Sequence, residues 1–203
     1  MKKETRVLTT DFEVREEDNK SIIEGYASGY GNWYSCGWYY EKIQEGAFDE
    51  ALPKSDIRAL FNHDPNLILG RKKANTLMVD ADDKGLRYIV YPPDTTYAKD
   101  LLISMKRGDI DQSSFAFTVN EDGERWEIDS DGEYKRTIVK VSALYDVSPV
   151  TYPANNNTNV YARSKDDVDK LLQADVDSKA NKDKLARAKA EQELMEAELI
   201  TLE

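Results

Sequence analysis

Polar and apolar positions alternate along the first three-quarters of the chain, and then the alternation stops. Ser114 to Val119 shows it most clearly: Phe115, Phe117 and Val119 fall on one side, Ser114, Ala116 and Thr118 on the other. A period of two is the signature of a strand with two unlike faces. Thr76 to Asp80 alternates in the same way, and Gly85 turns the chain into a second strand over 86–91. Ser21 to Tyr30 carries an apolar run bounded by Gly25 and Gly29. Glu124–Ile128 and Tyr134–Leu144 read as a hairpin joined by Asp129-Ser130-Asp131-Gly132, a turn sequence. Two short helices interrupt the strands. One spans about Gly46 to Leu52 and stops at Pro53; the other runs from Tyr97 to Arg107 and ends at Gly108. The pattern predicts a mainly β domain with flanking helices, its strands mostly antiparallel and closed into a barrel.

From Ser164 onward the chain contains no Gly, Pro or aromatic residue and reads as helix. Leu185, Ala188, Gln192, Met195, Leu199 and Leu202 recur at alternating steps of three and four, a short a/d seam with one polar position. Val168, Leu171 and Leu172 form an earlier apolar cluster. The polar run Asn155–Asn159 suits the loop between the two regions. The expected division is a β-barrel domain over 1–161 and an acidic helical tail over 162–203.

Composition narrows the function. The 203 residues carry a formal net charge of -11, which repels nucleic-acid phosphates, and no basic run offers a compensating patch. No apolar stretch approaches the roughly 20 residues of a membrane helix. Met1-Lys2-Lys3 leads into a polar segment, so no secretory leader is expected. The single Cys36 excludes a disulfide framework and a multi-cysteine zinc site. Asp80, Asp82, Asp83 and Gly85 resemble a calcium loop, but the spacing fails and the group reads as a turn. No metal or cofactor is expected.

His63 is the only histidine. Imidazole, with an unperturbed pKa of about 6.5, can take and return a proton near neutrality. The bland reading is a satisfied histidine at a strand end. Ser114 opens a strand with small same-face neighbours after the turn at Gly108–Asp111, where a substrate backbone could reach it. A serine hydroxyl needs a base to act as a nucleophile; otherwise Ser113 and Ser114 merely satisfy a turn. Asp146 lies in the apolar run Leu144–Val150, where a carboxylate is costly unless paired. The second N–H of an imidazole would pair it. Cys36 is the competing nucleophile, but no Lys or Arg precedes Lys42 in its neighbourhood to favour a thiolate.

Five segments, in order, resemble the tailed-phage prohead protease family, the serine proteases that mature procapsids and are distant relatives of the herpesvirus assembly proteases. They are Ile23–Ser28, Glu45–Phe48 with Leu52, Phe61–Asp64 with Leu69-Gly70-Arg71, Ser114–Phe117, and Leu144–Asn155. The resemblance implies a herpesvirus-protease-like antiparallel β-barrel. It maps His63 onto the base and Ser114 onto the nucleophile, with Asp146 chosen as the third member and Arg71 as a helper at the oxyanion. Ala116 stands where the family usually has Gly. Ser113 shares a side with Phe115 and Phe117, which favours Ser114 as the matched serine. The implied substrates are the scaffolding segment of the major capsid protein and the protease itself, inside the assembling procapsid in the host cytoplasm. The tail seam is compatible with a homo-oligomer. Neither nucleic acid nor membrane is an expected partner. The alternative is a non-catalytic capsid-assembly scaffold on the same fold.

Overall fold

The computed structural model describes residues 3–8, 12–17, 20–152 and 164–200. Thirteen strands and two α-helices occur among them: β1 (Glu4–Leu8), β2 (Phe12–Glu17), β3 (Lys20–Gly29), β4 (Tyr34–Ser35), β5 (Tyr39–Ile43), β6 (Arg58–Phe61), β7 (Asp64–Arg71), β8 (Leu77–Ala81), β9 (Gly85–Val90), α1 (Thr96–Arg107), β10 (Gln112–Thr118), β11 (Glu124–Ile128), β12 (Tyr134–Ile138), β13 (Ala143–Val150) and α2 (Lys165–Ile200). The chain forms two compact units, 1–162 and 163–203.

The strands make three sheets, ordered β1-β10-β13-β6-β7, β11-β12-β5-β4 and β2-β3-β9-β8. The expected closed barrel is therefore not formed among the described residues. Closure requires a continuous ladder around the ring. The run 134–144, read as one strand, breaks that ladder. Val139 and Lys140 donate their N–H groups to the Gly123 carbonyl, Val141 to Ala47 and Ser142 to Thr118. The chain thus leaves one sheet after β12 and enters another at β13. Nor is the pairing wholly antiparallel, since β12 runs parallel to β5 and β13 parallel to β6.

The short helix expected over 46–52 is a series of turns instead. Gly46 takes a left-handed φ of 83°, and the Ala47 carbonyl accepts from Val141 rather than from Ala51 as a helix would require. Ala51 donates to Phe48. By contrast α1 forms as its sequence dictates. Ala98, Leu101 and Met105 line its buried face, and left-handed Gly108 closes it by donating to Met105 while Asp109 donates to Ser104. In the second unit, Ser164 caps α2: its Oγ accepts from the Asp167 N–H. Leu185, on the expected seam, is exposed, and Leu202 lies outside the described residues.

The core gathers on the inner faces of the three sheets. Phe115 and Phe117 stack with ring centroids 4.8 Å apart, and Phe48 meets Phe115 edge-on at 5.7 Å. Ile23, Leu69, Leu77, Tyr88, Val90 and Val147 are buried with them. Gly70 in β7 has a plain packing reason, because a Cβ there would lie 2.5 Å from the Thr76 carbonyl oxygen and 3.0 Å from Val90 Cγ1. Gly70→Ala is expected to lower stability by about 2 kcal/mol or more, since backbone must yield; urea unfolding of the two proteins measures it.

Candidate active site

His63 sits at the tip of a two-residue hairpin. Phe61 pairs with Asp64, and the residues between them, Asn62 and His63, take φ values of 53° and 58°. Two consecutive positive φ angles are the demand of the tight hairpin turn that matches strand twist. A non-glycine residue held there costs roughly 1–2 kcal/mol, so the surroundings must fix it. They do so through Asn62. Its N–H donates to the Pro149 carbonyl at 3.1 Å, its Nδ2 to Thr151 Oγ1 at 3.2 Å, and its Oδ1 accepts from the Thr151 N–H at 2.9 Å. The turn is thereby tied to the end of β13.

Ser114 and Asp146 come from the neighbouring strands β10 and β13. Their antiparallel register places Ser114 opposite Ser148 and Ala116 opposite Asp146. Ser114, Ala116, Asp146 and Ser148 consequently share one face, while Phe115 and Phe117 turn the other way. Ser113 also turns away: its Oγ lies 2.6 Å from the Tyr88 hydroxyl in the interior. The small residues at 114 and 116 leave room for a ring above the sheet.

The three sequence-derived candidates meet there. His63 Nε2 lies 2.6 Å from Ser114 Oγ, and His63 Nδ1 lies 2.5 Å from Asp146 Oδ1. Asp146 is 2% exposed and His63 23%. Burial alone would raise the Asp146 pKa. The hydrogen bond and charge of His63, together with Lys3, outweigh it and hold the carboxyl below its ordinary value. An ionised carboxylate only accepts, so Nδ1 carries the proton and, in the neutral ring, Nε2 faces Ser114 as an acceptor.

Two further partners were not singled out in the sequence. Ser148 Oγ donates to Asp146 Oδ1 at 2.9 Å, and Lys3 Nζ donates to Oδ2 at 3.0 Å. Ser148 was legible as the same-face neighbour of Asp146 at i+2. Lys3 was not, since nothing in the sequence places the N-terminal segment beside β13. Arg71 is held elsewhere by Asp56, its Nε 3.1 Å from both carboxylate oxygens. Cys36 is buried, and burial next to Glu41 pushes its thiol up to about 12, the opposite of what a thiolate nucleophile needs. Asp82 caps the β8–β9 turn by accepting from Lys84 and Gly85. Among the described residues no group of three His, Cys, Asp or Glu side chains could hold a metal.

Ser114 itself is 0% exposed. β1 pairs with β10 and sets Val7 opposite Ser114, whose Oγ lies 2.8 Å from the Arg6 carbonyl oxygen. A cleft of about 570 Å³ lined by Tyr30, Lys42, Glu45 and Arg125 contains none of the three site residues. β1, the neighbour of β10 in the sheet, lies against the Ser114 hydroxyl, and the open cleft lies elsewhere.

A family model described as caudovirus prohead serine protease matches residues 10–173. The chain belongs to that family. Membership implies a serine peptidase associated with a phage procapsid. No curated protein and no solved structure matches the chain, so the expected likeness to herpesvirus proteases gains no support there. β1 lies ahead of the matched span.

The lowered Asp146 pKa has a stability consequence. A carboxylate whose pKa is depressed on folding stabilises the fold above its unfolded pKa, about 3.9 for Asp, and loses that contribution as pH falls through the folded value. The stability gap between the parent and Asp146→Asn should therefore shrink between pH 7 and pH 3. Urea unfolding of both proteins at these pH values checks the direction.

Proposed function

We propose that this prohead protease uses Ser114 as nucleophile, His63 as general base and acid, and Asp146 as the group that orients and stabilises the imidazolium. The observation that carries the reading is His63 bridging Ser114 Oγ at 2.6 Å and Asp146 Oδ1 at 2.5 Å. Three residues separated by tens of positions meet in the order this chemistry needs.

The step balances simply. Nε2 removes the Ser114 hydroxyl proton as Oγ bonds to a peptide carbonyl carbon. The tetrahedral species collapses to an ester as the C–N bond breaks, and the proton on Nε2 passes to the departing amine. Water, deprotonated by the same nitrogen, then hydrolyses the ester and restores the serine. Backbone N–H groups hold the oxyanion, each worth roughly 3 kcal/mol. Asp146 keeps its charge throughout, which its low pKa favours.

The substrates in this reading are the scaffolding segment of the major capsid protein and the chain itself, cut inside the assembling procapsid. Family membership supports the setting. The complete burial of Ser114 favours one other state, a non-catalytic assembly protein on the same fold. Co-expression with a capsid protein carrying its scaffolding segment separates the two. The parent should release discrete fragments by mass spectrometry, and Ser114→Ala should release none while keeping the parent's circular dichroism. Identical fragments from both proteins would remove Ser114 from the mechanism.

The tail has a separable role in this proposal. Its polar helix tethers the enzyme within the procapsid or mediates self-association. Deleting residues 164–203 should leave peptide hydrolysis within about twofold of the parent, because the tail supplies none of the three site residues. Incorporation into proheads, measured by quantitative immunoblot of purified particles, should fall. Unchanged incorporation would show the tether to lie elsewhere.

A further inference from the structure

Directly beyond Ser114 lies a buried charge network that the proposed chemistry does not use. Its fixed part is a row across the second sheet. Register sets Trp126 of β11 beside Arg136 of β12, Arg136 beside Glu41 of β5, and Glu41 beside Tyr34 of β4. Arg136 Nη1 donates to Glu41 Oε2 at 2.7 Å, Arg136 Nε to Glu124 Oε2 at 2.7 Å, and the Tyr34 hydroxyl to Glu41 Oε1 at 2.5 Å. Glu41 is 0% exposed and Arg136 2%.

The other part comes from β1. Arg6 Nε donates to Glu41 Oε1 at 2.5 Å and its Nη2 to Oε2 at 2.8 Å, a two-pronged grip on the carboxylate. Two residues earlier, Glu4 accepts from Arg136 through both Nη atoms, at 2.7 and 3.0 Å. Burial opposes the charge on Glu41, but Arg6 and Arg136 overcome it and hold the carboxyl down to about 2. Glu4 and Arg6 are buried, as alternate residues of one strand face should be.

This is the geometry of a peptide read by strand addition: main chain along an edge, alternate side chains in preformed sites. The Arg6–Val7 peptide lies over Ser114, with the Arg6 carbonyl oxygen as the hydrogen-bond partner of Oγ. We infer that β1 stands in the place of a substrate strand, and that Glu41 and Arg136 read the substrate: the site takes a basic residue immediately before the scissile bond and an acidic residue two positions earlier. This rests on Ser114 being the nucleophile, as proposed above.

Charge supports the assignment. Without β1, Glu41 keeps Arg136 and Tyr34 but loses both donors of the Arg6 guanidinium, while Arg136 loses Glu4. The fully buried Glu41 carboxylate faces the position of the Arg6 side chain, where a cation is stabilised and an acid repelled, so the site selects for a cation and rejects an acid there. The polarity of β1 points the same way. A strand meant only to complete the core would gain as much from apolar side chains, whereas Lys3-Glu4-Thr5-Arg6 is a segment that water accepts once it leaves the edge.

The test uses the full chain and internally quenched peptides copying residues 3–8, with Arg, Lys, Gln or Glu at the position of Arg6. Arginine should exceed glutamine by at least ~10-fold in kcat/KM, with lysine between and glutamate lowest. In Glu41→Gln the advantage of arginine over glutamine should shrink to within about threefold. A flat panel, a preference for glutamate, or a preference unchanged in Glu41→Gln overturns the inference while Ser114 keeps its role. A second readout needs no hydrolysis. A serine-directed fluorophosphonate should label Ser114 at least ~10-fold faster in Arg6→Gln than in the parent, because the covering strand has lost its anchor. Equal labelling rates, or labelling with no peptide hydrolysed, also overturn it. Absence of label in every variant instead removes Ser114 as nucleophile, and this inference with it. If Arg6→Gln does not fold, the peptide panel on the unmodified chain decides alone.

Discussion

The short parallel contact between β6 and β13 governs where the histidine can stand. Only Asp146–Arg58 and Val147–Ala59 pair along it. Beyond that contact the chain must reverse into β7, and it does so in two residues, Asn62 and His63. The reversal therefore occurs one strand away from Asp146 and two from Ser114. Asn62 then fastens the turn to Pro149 and Thr151. A slip of one residue in β13 would exchange Asp146 for Val147 or Tyr145 on that face and dismantle the constellation. The register is strongly specified because the opposite face carries Val147 into the core.

The same arrangement resolves an energetic conflict. Asp146 is too buried to be charged alone, and His63 is too strained in its backbone to stay without fastening. Each supplies what the other lacks. The imidazole N–H, the Ser148 hydroxyl and the Lys3 ammonium together give the carboxylate three donors, enough to offset its desolvation. In return the carboxylate fixes the ring's orientation and tautomer. Lys3 makes the N-terminal segment part of this balance, alongside its contacts to Ser114 and Glu41.

Much of this was readable from residues alone. Alternation over Ser114–Thr118 gave the strand and separated Ser114 from Ser113, because a period of two is a local property. The three candidate residues were each visible as local oddities: a lone histidine, a serine with small neighbours, a carboxylate in an apolar run. What stayed hidden was non-local. Three open sheets instead of a barrel follow from where the carbonyls of Ala47, Gly123 and Thr118 point, which no periodicity encodes. The turns at 46–52 have the composition of a helix, yet the Ala47 carbonyl accepts from Val141, a partner far along the chain. β1 escaped notice because Glu4-Thr5-Arg6 reads as an ordinary solvated stretch. Its burial depends on Glu41 and Arg136, more than 30 positions away.

That hidden strand changes how the hydroxyl of Ser114 must be understood. The group has one proton and two acceptors within reach: Nε2 of His63 at 2.6 Å and the Arg6 carbonyl at 2.8 Å. If the proton points at Arg6, it is withheld from Nε2. If it points at Nε2, it lies on the path of the proposed proton transfer. In the proposed reading β1 thus competes with His63 for the Ser114 proton as well as covering the hydroxyl. Removing the strand takes away one acceptor and leaves the imidazole as the natural destination of the proton. In the proposed reading, occupancy of the edge and readiness of the serine are two sides of one hydrogen-bond exchange, and the Glu41–Arg6 grip, by holding the strand down, favours the covered side.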